Sequence, residues 1–145
     1  ESEVILVGTD GSPGAAAALD WALRYALPVD RLVLLQAWSI PAITGYESIA
    51  VDTEAMQAVT RESAEAAAQQ SCDRMGVDPD RVEVRVIEGD ARTVLHEAGA
   101  DADLVVVGRR GHTGAAHLVL GSVTSHLVHR PPSPLAVIPP DEPAR

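Results

Sequence analysis

The sequence contains no lysine, and all 11 of its basic residues are arginine. This absence excludes sites that depend on a lysine amine, such as the Walker A phosphate loop, Schiff-base catalysis and lysine-dependent receiver sites. The 11 arginines stand against 21 acidic residues, which gives a formal net charge of −10. A chain with this charge is not attracted as a whole to nucleic acid or to an anionic membrane surface. We therefore expect neither as a partner.

Cysteine and long apolar segments are also scarce. Cys72 is the single cysteine, so it has no partner for an internal disulfide. A reducing, cytoplasmic location is the simplest interpretation. No apolar run approaches the ~20 residues that a membrane-spanning helix requires. The first residues lead directly into a strand-like segment, without the basic and apolar regions of a secretory signal, so we expect none.

What the sequence does have is 145 residues of ordinary globular composition, 46% hydrophobic and 22% charged. That is the length of one domain, and no internal repeat or linker divides residues 1–145. A chain of this size buries roughly 68–70% of its unfolded surface and needs no disulfide or metal to form a core. Phenylalanine is absent, so the core volume must come from Val, Leu, Ile and Ala.

Strand and helix patterns alternate along the chain. Apolar runs predict strands at residues 4–7, 32–38, 82–86, 104–107 and 135–138. Helical spacing and terminal residues predict helices from Pro13 to before Pro28, from Asp52 to Met75, from Asp90 to Gly99 and from Ser122 to His129. This order predicts an α/β fold, a single doubly wound domain whose parallel sheet has helices on both faces. Residues 82–86 alternate polar and apolar, which is typical of an edge strand.

Unusual segments follow the first and the fourth strand, GTDGS at residues 8–12 and GRRGHTG at residues 108–114. Ligands of open α/β sheets bind beyond the carboxyl ends of the strands, at the point where the strand order reverses. Glycines at 108, 111 and 114 allow a positive φ and a close approach to a ligand, and successive amides there can form an anion nest. The same glycines also suit tight turns beneath a strand, and glycine spacing alone leaves both interpretations open.

The helix that begins at Gly121-Ser122 adds unpaired N–H groups and a hydroxyl at the positive end of its dipole. Arg109 and Arg110 add charge that suits phosphate. The spacing Gly108-x2-Gly111-x9-Gly121-Ser122 resembles the nucleotide-binding signature of the universal stress protein family. The resemblance continues into the flanking strands and into VGTDGS at residues 7–12, so it covers essentially the whole chain.

The resemblance implies a five-stranded sheet of order 3-2-1-4-5 and ATP, with or without Mg²⁺, as the ligand. Gly8 and Asp10 would lie beside the nucleoside, Ala37 beside the adenine and Gly89 near the ribose. Residues 108–114 and the start of the last helix would hold the phosphates. The full set is Gly8, Asp10, Ala37, Gly89, Gly108, Arg109, Arg110, Gly111, His112, Thr113, Gly114, Gly121, Ser122, Val123 and Thr124.

Three positions depart from the family pattern. Arg109 stands where a small polar residue is usual, Ala37 where a larger aliphatic residue is common, and Ala91 where a proline often follows the glycine. None of these departures removes a glycine of the signature.

The last strand, Leu135–Ile138, would form an edge of this sheet. A bare apolar edge is an aggregation hazard, which an isologous pairing of two such edges removes. The resemblance also implies a homodimer, and we expect one through this strand.

The function that these features favour is that of an ATP-binding stress-response protein in which the nucleotide sets conformation or partner choice. No acid–base pair for catalysis stands out. Two alternatives remain open: a slow ATPase or phosphotransferase that uses Asp10 and Mg²⁺, and a nucleotide-free interaction module. We predict no metal site, because His126 and His129 lack a cysteine or carboxylate at ligand spacing.

Overall fold

The computed structural model describes residues 2–40, 52–109 and 121–140, in which strands and helices alternate. The strands are β1 (Val4–Gly8), β2 (Arg31–Trp38), β3 (Val82–Glu88), β4 (Leu104–Gly108) and β5 (Leu135–Ile138). The helices are α1 (Pro13–Tyr25), α2 (Thr53–Met75), α3 (Ala91–Gly99) and α4 (Ser122–His129), and a 3₁₀ turn at Pro79–Arg81 precedes β3.

The five strands form one parallel sheet in the order β3-β2-β1-β4-β5. This confirms the predicted α/β fold and strand order. The prediction that β3 is an edge strand is also confirmed, because Val82 and Val86 are buried while Glu83 and Arg85 are exposed. Part of this edge is covered by α2, since Arg61 donates from Nη1 to the carbonyl of Val84, with an N–O distance of 3.5 Å.

Both faces of the sheet are covered by helices. Successive side chains of a strand point to opposite faces, so Ile5 and Val7 of β1 pack toward α1 and α2, whereas Leu6 packs toward α3 and α4. The apolar stretches of β1, β2 and β4 are therefore buried on both sides, as parallel strands with crossover helices require.

The predicted signals at helix ends are confirmed for α1 and α2. Ser12 precedes Pro13 and its Oγ accepts a hydrogen bond from the amide of Ala15 at 3.2 Å. At the end of α2, Gly76 has a left-handed conformation with φ +67°. α3 ends at Gly99, as predicted, and the next residue keeps a right-handed conformation. A Cβ at Gly99 would lie 2.7 Å from Cγ of Pro132, so this glycine serves close packing.

A buried carboxylate joins α1 to α2. Asp20 is only 5% exposed. It accepts hydrogen bonds from Oγ of Ser71, which is fully buried, and from Nε and Nη2 of Arg74, each with an N–O distance of 3.1 Å. A buried carboxylate that loses its partners costs several kcal/mol. The network therefore holds the two helices in one relative position.

We expect Ser71→Ala to lower the free energy of unfolding by about 1–3 kcal/mol, because Asp20 would lose a donor that water cannot replace. Urea denaturation followed by circular dichroism measures this change. Ser63→Ala is the matched control, since Ser63 is an exposed serine of the same helix. It should change the free energy by no more than about 0.5 kcal/mol. Equal effects of the two substitutions would contradict a structural role for the Asp20 network.

Candidate functional site

A crevice of about 250 Å³ opens at the carboxyl ends of β1 and β4, which are neighbours in the sheet. The crossovers on the two sides of this strand pair lead in opposite directions, which is where ligands bind in open α/β sheets. The residues that line the crevice come from the ends of both strands and from the first turns of α1, α3 and α4. They are Gly8, Thr9, Asp10, Ser12, Ala15, Ala91, Leu95, Val107, Gly108, Gly121, Ser122, Val123 and Thr124.

The structure brings many of the predicted site residues together in this crevice, namely Gly8, Asp10, Gly108, Gly121, Ser122, Val123 and Thr124. Three predicted residues lie outside its lining. Ala37 pairs with Ile87 in the sheet, Gly89 follows β3, and Arg109 follows Gly108. The remaining predictions, Arg110, Gly111, His112, Thr113 and Gly114, lie outside the described residues.

Sequence reasoning missed most of the apolar wall of the crevice, of which it named only Val123. Leu95, Val107 and Val123 line it together with two alanines, Ala15 and Ala91. Helical periodicity marked Leu95 as a core residue, which it also is, because its side chain is buried. No sequence signal identifies it as a site residue, because only the fold brings Cδ1 of Leu95 to 2.9 Å from the place where a Cβ at Gly8 would lie.

Gly108 has a different role from the one that the loop composition suggested. Its φ is not positive, which corrects the expectation of a left-handed backbone at this position. A Cβ on Gly108 would lie 2.5 Å from the carbonyl oxygen of Gly14 and 3.1 Å from the amide nitrogen of Ala15. The missing side chain therefore lets the first turn of α1 rest directly on the end of β4. Close packing of this kind was neither of the two interpretations that glycine spacing left open, a ligand-binding loop and a tight turn.

The turn after β1 is held by hydrogen bonds to its own backbone. The amide of Gly11 donates to Oγ1 of Thr9 at 3.0 Å, and the amide of Ser12 donates to Oδ1 of Asp10 at 2.9 Å. Gly11 itself has φ +82°, a conformation that favours glycine. These bonds position the carboxylate of Asp10 at the exposed rim of the crevice, where it is the one titratable side chain of the described lining.

The first turn of α4 forms the opposite rim. Gly121 is the N-cap of α4 and supplies no side-chain hydrogen bond to that turn. The helix is attached to β4 by Thr124, whose buried Oγ1 donates to the carbonyl of Gly108 at 2.7 Å. The amides at the start of an α-helix have no partner within the helix and carry partial positive charge. Together with the exposed hydroxyl of Ser122, they suit an anionic group.

Arg109 connects this rim to the last strand through its backbone. Its amide donates to the carbonyl of Ile138 at 2.9 Å, and its carbonyl accepts from the amide of Gly121 at 3.0 Å. One peptide segment thus contacts both the start of α4 and the end of β5.

The rim beside α3 carries a paired charge. Asp90 is the N-cap of α3, and its Oδ2 lies 3.1 Å from Nη2 of Arg92. The hydrogen bond from the Arg92 side chain holds the pKa of Asp90 below its usual range. Asp90 is therefore ionised at neutral pH, and its charge is balanced by Arg92 beside the crevice.

A second cavity, about 320 Å³, lies at the amino end of the sheet. Two arginines line it, but Arg31 pairs with Glu83 at 2.6 Å and Arg81 donates to the carbonyl of Asp30 at 2.9 Å. Negative charge therefore prevails in this cavity, which disfavours an anionic ligand there. Its carboxylates are Asp30, Asp78, Asp80 and Glu83.

Other candidate groups gain no support as sites. In residues 2–40, 52–109 and 121–140, no three His, Cys, Asp or Glu side chains gather as a metal-binding group. His126 and His129 are exposed, as predicted for surface histidines. Cys72 is buried, and burial raises the pKa of its thiol. Within the described part of the chain, no helix combines the length and the apolar character that crossing a membrane would require.

We expect Thr124→Val to lower the free energy of unfolding by about 1–3 kcal/mol, because the buried carbonyl of Gly108 would lose its donor. Chemical denaturation measures the change. Thr60→Val is the matched control, since the Thr60 hydroxyl only bonds back to the carbonyl of Met56 in its own helix. A stability of Thr124→Val equal to that of the control would show that this bond does not hold α4 against β4.

Comparison with known proteins places the chain in one group. A family model described as the universal stress protein family matches residues 1–139. A universal stress protein of Mycolicibacterium smegmatis is 31% identical over 146 aligned residues, which cover 97% of this chain and 49% of the relative. The chain spans about half the length of the curated relatives that it matches.

Solved structures share the fold. A universal stress protein in complex with cAMP has a TM-score of 0.64 and 23% identity, and the match covers 96% of this chain and 98% of that one. A universal stress protein family protein from Arabidopsis thaliana with AMP bound has a TM-score of 0.64 and 18% identity, with coverage of 96% and 92%. At these identities the likeness concerns the fold alone.

Proposed function

The chain belongs to the universal stress protein family, and we propose that it is a regulatory protein that binds an adenine nucleotide in the crevice between β1 and β4. The observation that carries this proposal is the pairing of an apolar wall with the open N-terminus of α4 in one crevice. Relatives in complex with cAMP and with AMP support the ligand class.

The apolar wall suits the nucleoside. Leu95, Val107 and Val123 offer hydrocarbon surface to a purine ring, and the absence of a side chain at Gly8 leaves room beside them. Binding sites for small molecules combine such surface with a few polar groups that set orientation. Asp10 supplies an acceptor at the rim for ribose hydroxyls or for the exocyclic amine. Ala37 and Gly89 remain proposed neighbours of the adenine and ribose, at the ends of the adjacent strands.

The start of α4 suits the phosphates, because its amides and the Ser122 hydroxyl face the crevice. Within the adenine class we propose ATP as the ligand. Its outer phosphates would contact residues 108–114, where Arg109 and Arg110 supply positive charge. Mg²⁺ fits only as an ion carried by ATP, with Asp10 as its protein ligand, because hard cations prefer carboxylate and phosphate oxygens. Bound there, the ion would neutralise phosphate charge.

A regulatory role for the bound nucleotide is favoured over its hydrolysis or the transfer of its phosphate. Phosphoryl transfer needs stabilisation of the transition-state charge and a positioned base or metal ligand. Asp10 is the one titratable side chain in the described lining, and its Oδ1 already accepts from the amide of Ser12. We therefore propose that the nucleotide acts by occupancy, selecting a conformation or a partner.

ATP at ~100 times its dissociation constant should add ~2.7 kcal/mol of apparent stability. For a domain of this size, that is a rise in melting temperature on the order of 5–15 °C. Gly121→Val should abolish most of the rise, because it places a branched side chain at the rim that the phosphates approach. Gly121 has φ −61° and ψ 159°, which valine also adopts, so the fold is retained.

Differential scanning fluorimetry on protein stripped of copurified ligand makes this measurement. Ala66→Val is the control, because it adds the same side chain at an exposed position of α2 outside the crevice lining, and it should keep the full nucleotide response. If the parent chain shows no shift with ATP, AMP or cAMP, the proposed function is wrong. A response to AMP or cAMP but not to ATP would overturn ATP as the ligand within that class.

We also propose that two copies associate through β5. This strand is the edge of the sheet beyond β4, and all four residues of Leu135–Ile138 are half-buried and uncharged. Pairing β5 with the β5 of a second copy satisfies backbone groups that an edge leaves open.

The parent chain is therefore expected to be dimeric at tens of micromolar, and Val137→Lys to be monomeric but folded. A lysine on an edge strand places two like charges across the paired strands and favours solvent. Sedimentation velocity measures the mass, and circular dichroism tests the fold. Val59→Lys, the same substitution at an exposed position of α2, should remain dimeric. A monomeric parent chain would contradict the dimer.

A further inference from the structure

One flank of α1 carries a stacked aromatic pair. Trp21 and Tyr25 are one helical turn apart, with ring centroids separated by 4.9 Å and planes inclined by 12°. Trp21 is half-buried against the core, whereas Tyr25 is 47% exposed. Exposed aromatic surface of this kind is typical of sites where another molecule packs.

This flank lies away from α2 and on the side of β5. Asp20 faces α2 through its bond to Ser71, and Trp21 follows it by about 100° of helical rotation. α1 packs against β5 as well as β4. Trp21, Ala136 and Ile138 pack against the same core cluster, so the aromatic flank and one face of β5 lie on the same side of the sheet.

The length of β5 shows that strand pairing alone is too small an interface. Four residues extend roughly 13 Å. The edge of so short a strand covers much less than the ~800 Å² that a stable interface buries on each partner. A helix beside β5 must therefore contribute. α4 presents His126 and His129 to solvent together with Val128, so its exposed surface is mixed and carries no aromatic pair like that of α1. α1 presents the aromatic flank on the other face of the sheet.

Charge points to the same flank. Each copy carries a net charge of −10, so two copies repel each other, and a contact between them is least opposed where the facing surfaces carry no charge. None of Trp21, Tyr25 and the residues of β5 is an Asp, Glu, Arg or His. Arg24, which stands between the aromatic residues in sequence, reaches back to Met75 of α2, with an Nη1–Sδ distance of 3.6 Å. Its charge is thereby directed away from the flank.

We infer that Trp21 and Tyr25 anchor the contact between two copies of this chain by packing over the paired β5 strands. The inference rests on the proposed dimer through β5. A twofold axis that crosses the joined sheet keeps both α1 helices on the same face, so each aromatic flank faces its counterpart. Tryptophan and tyrosine are the residues that most often dominate interface energies, and stacking has already restricted their rotamers.

Tyr25→Ala tests this anchor with little risk to the fold, because Tyr25 is exposed near the end of its helix. Sedimentation equilibrium should show at least a tenfold rise in the dimer dissociation constant. Tyr25→Phe keeps the ring and should bring the constant back to within about twofold of the parent value. Val59→Ala, which truncates a side chain that is 66% exposed on α2, should leave it unchanged.

Tryptophan emission gives an independent measurement. In a Trp38→Phe background Trp21 is the only tryptophan, and its emission should shift to the red as the dimer is diluted. In Val137→Lys the emission should be red-shifted at every concentration. A dimer that Tyr25→Ala leaves as tight as the parent, or emission that ignores dilution, overturns the aromatic anchor and leaves the β5 dimer standing. A parent chain that is monomeric overturns both.

Discussion

The close approach of helices to two bare strand ends is the constraint on which the site depends. β1 ends at Gly8 and β4 at Gly108, and any Cβ there would collide with Leu95 or with the backbone of α1. Because neither strand end carries a side chain, the first turn of α1 rests on β4 and Leu95 of α3 reaches the end of β1. The crevice is the space that remains between these helices and α4. Its shape therefore follows from packing at two glycines.

The fold could be predicted because it depends on local signals. Apolar runs, helix caps and prolines are read from consecutive residues, and the alternation of strands and helices leaves few topologies. The alternating pattern of residues 82–86 also indicated an edge strand. The order of the sheet came from a family resemblance, since nothing in the periodicity says which strands are neighbours.

The parts that sequence reasoning missed depend on residues far apart in the chain. Asp20 and Ser71 are 51 positions apart, and an aspartate among alanines looks like a solvent-facing residue. Leu95 has the pattern of a core residue because it is one, and only the fold places it against Gly8. For Gly108 the error is the opposite one, because a residue assigned to the binding loop also serves the packing of the core. The loop around it suggested a flexible backbone, whereas the structure uses the missing side chain for contact with α1. The sequence alone does not show whether a glycine is needed for its backbone freedom or for its missing side chain.

The backbone hydrogen bonds of Arg109 connect the two regions for which we propose contacts, the nucleotide crevice and the β5 edge. The peptide units of this residue meet Gly121 at the start of α4 on one side and Ile138 at the end of β5 on the other. The rim of the crevice and the edge of the sheet are thus joined through a single residue. If a ligand and a second copy both bias the position of this residue, each must change the affinity of the other by the same factor. Nucleotide binding and the association of two copies would then be coupled through the backbone of Arg109.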